Sequence, residues 1–340
     1  MSSPLSPTLD LTPPVSGQLQ VIEPRAVELF GPGTWLPAII TNSAPDAPER
    51  FLEFFTVTIR NPHTRRAYGR QVMQFLTWCE AQGTHSLADV RPMQVAAYIE
   101  SMPTQAQTVK QGLAAIRMCF DWLVIKQVVP VNPASSVRGP RYSYKKGKTP
   151  VLSREDARAL LASIETGHVV GLRDRALIGL MVYSFARIGA VTGMQVKDYY
   201  QNGKRWWIRL HEKGGKFHEV PVHHAAEEYL DAYLEAAGIR TEVKTPLFRT
   251  TRGRSRQLTG NGLQEREALA MIKRRAAEAG LPASICCHTF RATGITAYLE
   301  NGGSMENAQA IAAHESPRTT KLYDRRSDLI NLDEIERIVL

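Results

Sequence analysis

Apolar residues recur at helical spacing through the first third of this chain. In TRRAYGRQVMQFLTWCEAQG, Tyr68, Val72, Phe75, Leu76 and Cys79 share one face, and Gly83 marks a stop. Ser86-Leu-Ala-Asp89 has the form of a capping box, after which Val95, Ala96 and Ile99 extend an apolar stripe towards Pro103. TVKQGLAAIRMCFDWLVIKQ sets Leu113, Ile116, Phe120 and Leu123 at the same period. The pattern predicts an all-helical domain of about four helices over residues 46–131. Ahead of it, residues 1–45 are rich in Pro, Ser and Thr without apolar periodicity, and read as a disordered arm.

A second domain is expected over residues 151–326. Ser153-Arg-Glu-Asp156 again has capping-box form, and the helix behind it carries Ala157, Leu160, Leu161 and Ile164. The next helix, from about Leu172 to Phe185, is apolar apart from Arg173, Asp174 and Arg175, so it belongs in a core. It runs into Ala186-Arg187-Ile188-Gly189, and an arginine at the end of such a helix needs an acidic partner or a ligand anion.

One stretch leaves the helical period. RWWIRLHEKGGKFHEVPVH alternates Trp206, Ile208 and Leu210 against Trp207, Arg209 and His211, turns at Gly214-Gly215, and resumes with Val220 and Val222. It is the only β-signal; everything after His224 reads as helices, with caps at Ser304 and Ser316 and with Pro317 at a first helical position. The expected fold class is mainly α (α+β): an all-helical N-terminal domain plus a mixed, mostly helical domain with a small antiparallel sheet or hairpin. The tail SDLINLDEIERIVL, within 327–340, reads as a C-terminal helix able to dock on a neighbouring protomer or on its own domain.

Composition adds a partner. The chain has 340 residues, enough for two domains, and 43% hydrophobic residues to fill their cores. Its formal charge of +9 favours a polyanion, because each cation set against a phosphate releases a counterion. The linker over 132–150 concentrates Arg138, Arg141, Lys145, Lys146 and Lys148, interleaved with Tyr142 and Tyr144 and punctuated by Pro133 and Pro140. Proline keeps such a segment extended, suiting a strap along a phosphate backbone; a contact-free linker is the alternative. Arg65, Arg66 and Arg70 in the first domain and Lys216 after the hairpin turn are further candidates for phosphate contact.

Other classes recede. Cys79, Cys119, Cys286 and Cys287 show no CxxC spacing and read as buried free thiols in a reducing cytoplasm. No metal is expected: neither Cys286-Cys287-His288 nor His211, His218, His223 and His224 with Glu212 and Glu219 offers a recognised ligand spacing. No apolar run is long enough to span a bilayer, and the N-terminus lacks the pattern of a secretory signal.

The candidate chemistry lies towards the C-terminus, in CHTFRATGITAYLENGGSMENAQAIAAHESPRTTKLYDRR. Cleaving a phosphodiester without a metal requires an in-line nucleophile, cations on the non-bridging oxygens, and an acid for the departing oxygen. Arg187 and Arg291 suit the second task, since a guanidinium donates bidentately and keeps its charge. His288 stands three residues before Arg291, on the same helical face. His288 and Lys213 can exchange protons near neutrality. Tyr323 offers the phenolic oxygen, flanked by Lys321, Arg325 and Arg326.

In combination these residues resemble the tyrosine recombinase family, the phage-integrase and Xer-like enzymes, over about residues 50–330. Arg187 in SFARIGAVTGMQVKDY matches the family's first arginine, Lys213 in HEKGGKFHEVPV its hairpin lysine, and His288 with Arg291 its H-x-x-R box. His314 in IAAHESPRTTKLY matches the second imidazole and Tyr323 the nucleophile. Two departures stand out: Ala190 occupies the place of an acidic residue three after the first arginine, and Ala313 that of a glycine before the second histidine.

The resemblance implies a core-binding, SAM-like domain over 46–131 and a catalytic domain over 151–326 that clamp double-stranded DNA. Tyr323 would form a 3′-phosphotyrosyl link and free a 5′-hydroxyl, with Arg187, Arg291 and His314 stabilising the transition state, Lys213 as acid and His288 assisting. No cofactor, metal or ATP is implied. The partners implied are DNA and a homotetramer assembled on two sites from a monomer free in solution, in the cytoplasm on a bacterial nucleoid. A type IB topoisomerase-like relaxing enzyme and a catalytically silent DNA-binding regulator are the alternatives.

Overall fold

The computed structural model describes residues 29, 36–141, 147–212, 216–253 and 255–325, and the chain divides into two compact units, Met1–Ser143 and Tyr144–Leu340. The tail at 327–340, Lys213 and the linker residues Lys145 and Lys146 lie outside the described residues.

The first unit is helical throughout. Its elements are α1 (Ala38–Thr41), α2 (Ala47–Glu53, continued by a π-turn over Phe54–Thr58), α3 (Pro62–Ala81), α4 (Pro92–Ser101) and α5 (Ala106–Ile125). Asn61 starts α3: its side chain accepts from the backbone N–H groups of His63 and Thr64, and Pro62 pre-sets the first turn. Val72, Phe75, Leu76 and Cys79 of α3 are buried with Ile116, Phe120 and Leu123 of α5 and with Phe51, Phe54 and Phe55. Burying each such side chain contributes about 1.5–3 kcal/mol.

Three expectations for this region are corrected. The arm does not run to residue 45: Ala38–Thr41 is helical, Ile39 and Ile40 are fully buried, and the Ile39 N–H donates to Glu80 Oε1 at 2.6 Å. Adjacent β-branched residues found a core there, with Leu36 packed against it, inside a segment otherwise rich in Pro, Ser and Thr. The Ser86 box caps only a single 3-10 turn, Leu87–Asp89. The following helix starts at Pro92 because Arg91, which precedes a proline, is held extended at φ −104° and ψ 152°. The linker's first part is not a free strap, since Ala134 and Val137 are buried and Arg117 donates to both of their carbonyls.

The second unit carries α6 (Arg154–Ser163), α7 (Val169–Ser184), α8 (Ile188–Thr192), β1 (Tyr199–Asn202), β2 (Arg205–Glu212), β3 (Lys216–Pro221) and α9 (His224–Ala237). It continues with β4 (Arg249–Thr251), β5 (Leu258–Gly262), α10 (Glu265–Glu278), α11 (Cys287–Glu300), α12 (Met305–Ile311) and α13 (Pro317–Lys321). β1, β2 and β3 form an antiparallel sheet with β2 in the centre, pairing Ile208 with Val220 and Glu212 with Lys216. Leu177, Ile178 and Met181 of α7 share the core with Ile208, Leu210, Leu230, Tyr233 and Phe290. β1 and the β4–β5 pair escape the sequence pattern. β4 spans only three residues and β5 reads LTGNG, so neither alternates long enough to signal.

Charge on the core helix α7 is neutralised internally. Asp174 is fully buried and accepts from Arg173 at 2.6 Å and from Arg275 at 2.9 Å, while Arg173 also donates to the Arg249 carbonyl at 2.7 Å. Among the described residues, no helix is long and apolar enough to cross a membrane, and no His/Cys/Asp/Glu group could hold a metal ion. All four cysteines are free, and burial pushes Cys79 up to about 12 and Cys287 up to about 11.

Candidate active site

Arg291 is the centre of the site. It projects from α11, is 1% exposed, and donates through Nη1 to the Phe185 carbonyl and through Nη2 to the Ala312 carbonyl at 2.6 Å. These two bonds join the C-terminal cap of α7, two residues before Arg187, to the turn that leads into His314. Burial first, and then the charge of Arg187, pull Arg291 down to about 10, with Tyr323 and Glu212 opposing. Close approach makes this possible: a Cβ on Gly294 would collide with the Val182 carbonyl of α7.

Arg187 leads into α8 after Phe185, which takes a left-handed φ of 55°. Its guanidinium pairs with Glu212 at the end of β2, supplying the acidic partner that the sequence required. His288, in the first turn of α11, has its pKa lowered by the protein around it and then by Arg291 and Arg187.

His314 is buried. Burial, then Arg291, Arg187 and His288, lower it to about 3, so it is neutral at physiological pH. Its Nδ1 lies 2.9 Å from the hydroxyl of the fully buried Thr320. Ala313, just before it, adopts a φ of 46° in the left-handed region. Tyr323 follows α13, its ring stacked against His314 and its carbonyl accepting from Thr296 Oγ1 at 2.9 Å. Residues beside the nucleophile candidate are tied to the linker's end: Gly147 N–H donates to the Leu322 carbonyl at 2.9 Å, and Arg325 donates to the Gly147 carbonyl at 2.7 Å.

The structure thus brings Arg187, His288, Arg291, His314 and Tyr323 together and adds Thr320 and Thr296, which sequence reasoning passed over, and Glu212, which it weighed only as a metal ligand. A signal for Glu212 existed. It shares strand parity with Ile208 and Leu210, and an acid on the inward face of a strand demands a partner. The candidates for phosphate contact divide. Arg66, Arg70, Arg138, Arg141 and Lys148 are exposed, whereas Arg65 is partly buried and spends its guanidinium on the Ile59 carbonyl. β3 begins at Lys216, whose side chain lies outside the described residues. The hairpin is also anchored near His314, because His218 Nε2 lies 2.9 Å from the Ile311 carbonyl.

Comparison with known proteins places this geometry. Residues 49–127 match the phage integrase N-terminal SAM-like domain, and residues 150–329 match the phage integrase family. Tyrosine recombinase XerC of Pelobacter propionicus is 29% identical over 283 residues, which cover 82% of this chain and 88% of that protein. The fold is shared with the XerH site-specific recombinase bound to difH substrate in a pre-cleavage complex, at 19% identity and a TM-score of 0.62, covering 80% of this chain and 78% of that one. It is shared too with a lambda integrase tetramer bound to a Holliday junction, at 17% identity and a TM-score of 0.62, covering 83% and 79%. All five clustered side chains fall inside the longer family match, and the chain belongs to the phage integrase family of tyrosine-type site-specific DNA recombinases.

Proposed function

We propose that this recombinase cuts and rejoins double-stranded DNA through a covalent bond between Tyr323 and the 3′-phosphate. The reading is carried by one observation: a buried and a half-exposed arginine, Arg291 and Arg187, converge with two imidazoles of lowered pKa on a single tyrosine. The Tyr323 oxygen attacks phosphorus, the bond to the 5′-oxygen breaks, and that oxygen takes a proton from Lys213. Arg187 and Arg291 hold the non-bridging oxygens, and His288 assists in moving the tyrosine's proton. In the tautomer whose Nδ1 accepts from the Thr320 hydroxyl, neutral His314 keeps Nε2–H free to donate to a phosphate oxygen. A free 5′-hydroxyl of a second strand then displaces the tyrosine, so the bond energy is retained and no ATP is consumed. The roles of Arg66, Arg70, Arg138, Arg141, Lys145, Lys146, Lys148 and Lys216 are phosphate contacts, supported by the chain's charge of +9.

The chain acts as a homotetramer on paired sites in the bacterial cytoplasm, and as a monomer when free. The tetrameric lambda integrase complex of like fold supports that assembly. A nicked suicide duplex tests the chemistry: wild type becomes covalently attached, and Tyr323→Phe binds the same duplex without attachment. A Tyr323→Phe chain that still attaches would overturn the assignment of the nucleophile.

A further inference from the structure

Strand parity turns Glu212 inward with Ile208 and Leu210, and its carboxylate meets the Arg187 guanidinium. The Glu212 side chain is 5% exposed against 34% for Arg187, so the acid is the buried partner and the arginine reaches out to it. Burying a carboxylate costs several kcal/mol unless it is paired. A glutamate at the inward end of a central strand is therefore there for its partner and not for the sheet. Ala190, in the same turn of α8 as Arg187, is 4% exposed and carries no group that could hold a guanidinium. Arg187 also faces Arg291, His288 and His314 closely enough to disfavour charge on all three, while Glu212 favours it on Arg291. An arginine among such repelling neighbours swings away from them unless a counter-charge fixes it. Glu212 supplies that charge from the residue immediately before Lys213.

We infer that Glu212 is the positioning residue for Arg187: from the end of β2 it holds the guanidinium in its phosphate-binding orientation, a task that Ala190 cannot perform. The inference rests on the reading that Arg187 meets the scissile phosphate. A duplex that the wild-type chain captures covalently is first selected from a random-sequence library of nicked DNA. Single-turnover capture of that duplex is then compared for wild type, Glu212→Gln, Arg187→Lys and the double variant. Glu212→Gln slows capture by about 10- to 100-fold. Its DNA affinity is unchanged or tighter, because a negative charge has left a phosphate-binding face. In the Arg187→Lys background the same substitution changes the rate by less than about threefold, since the two residues act as one unit. A merely structural glutamate would lower affinity and capture in both backgrounds. Equal loss in the two backgrounds, or capture by Glu212→Gln within about twofold of wild type, overturns the inference. If Glu212→Gln does not fold, Glu212→Asp, which withdraws the charge by one methylene, takes its place in the cycle under the same criteria. A wild-type chain that captures no duplex sinks the Tyr323 reading and this one together; undiminished capture by the variant sinks this one alone.

Discussion

The imidazole of His314 lies nearly parallel to the phenol ring of Tyr323, with centroids 5.6 Å apart and planes 7° from parallel. Two elements that end in short turns, α12 and α13, meet at this stack. Burial by Tyr323 and Thr320 excludes water from the imidazole, and Arg291 and Arg187 beside it oppose a third positive charge.

Protonation of His314 should therefore cost stability. Its pKa is about 3 in the fold and 6.5 ordinarily, so between those values the unfolded chain binds a proton that the folded chain refuses. Stability then falls as pH drops through that window, by up to about 1.4 kcal/mol per pH unit. His288 is shifted the same way and adds to the slope. Denaturant midpoints between about pH 7 and pH 4 should decline less steeply for His314→Asn than for wild type. Parallel curves would show that His314 is not what titrates.

Gly294 sets how closely α11 approaches α7. A Cβ there would collide with the Val182 carbonyl and lie 2.8 Å from Phe185 Cδ1, and backbone cannot step aside as a side-chain tip can. Gly294→Ala should cost about 1–3 kcal/mol in chemical denaturation. Capture of DNA should fall with it, because Arg291 rides on the same helix. A variant as stable as wild type would mean that the two helices part freely.

Asp174 is a buried anion with three arginine neighbours, Arg173, Arg274 and Arg275. Asp174→Asn keeps its shape and strands the buried charge of Arg173, while Arg274 and Arg275 retain Glu278, so it should destabilise the second unit by about 3–5 kcal/mol. The chemistry of the variant that remains folded should be intact, since no bond links Asp174 to the site. Guanidinium melts and single-turnover capture separate the two effects, and a neutral substitution would refute the account.

Ala313 is strained where the family has a glycine. A left-handed conformation costs a non-glycine residue about 1–2 kcal/mol, of which glycine's looser unfolded chain returns about 0.5–1. At its φ of 46°, Ala313→Gly should leave stability unchanged or raise it by up to about 1 kcal/mol. A clear fall in the denaturant midpoint would count against strain at this turn.

Signals carried by neighbours in the chain were legible from the sequence alone. Ser153, Ser304 and Ser316 each accept a backbone N–H at the start of the helix expected of them. The periodic faces of α3 and α5 predicted their buried sides, and the alternation of β2 predicted that Ile208 and Leu210 are inside. Caps and periods act over a few residues, so a reader of the string sees both partners at once. The opening α1 was invisible for the opposite reason, its Ile39 N–H being held by Glu80 far along the chain, while β4 and β5 pair locally but are too short to show a period.

The chemistry divides along the same line. The sequence by itself determined which groups are available: two arginines, two imidazoles and a tyrosine in family order, and no acid at Ala190. Only the tertiary structure decided what those groups are. It buried Arg291 between the Phe185 and Ala312 carbonyls, held His314 neutral, and brought Glu212 to Arg187 from another element. Burial and opposing charge depend on which surfaces meet, and that is settled when helices and strands close on one another, not by the order of residues along the chain.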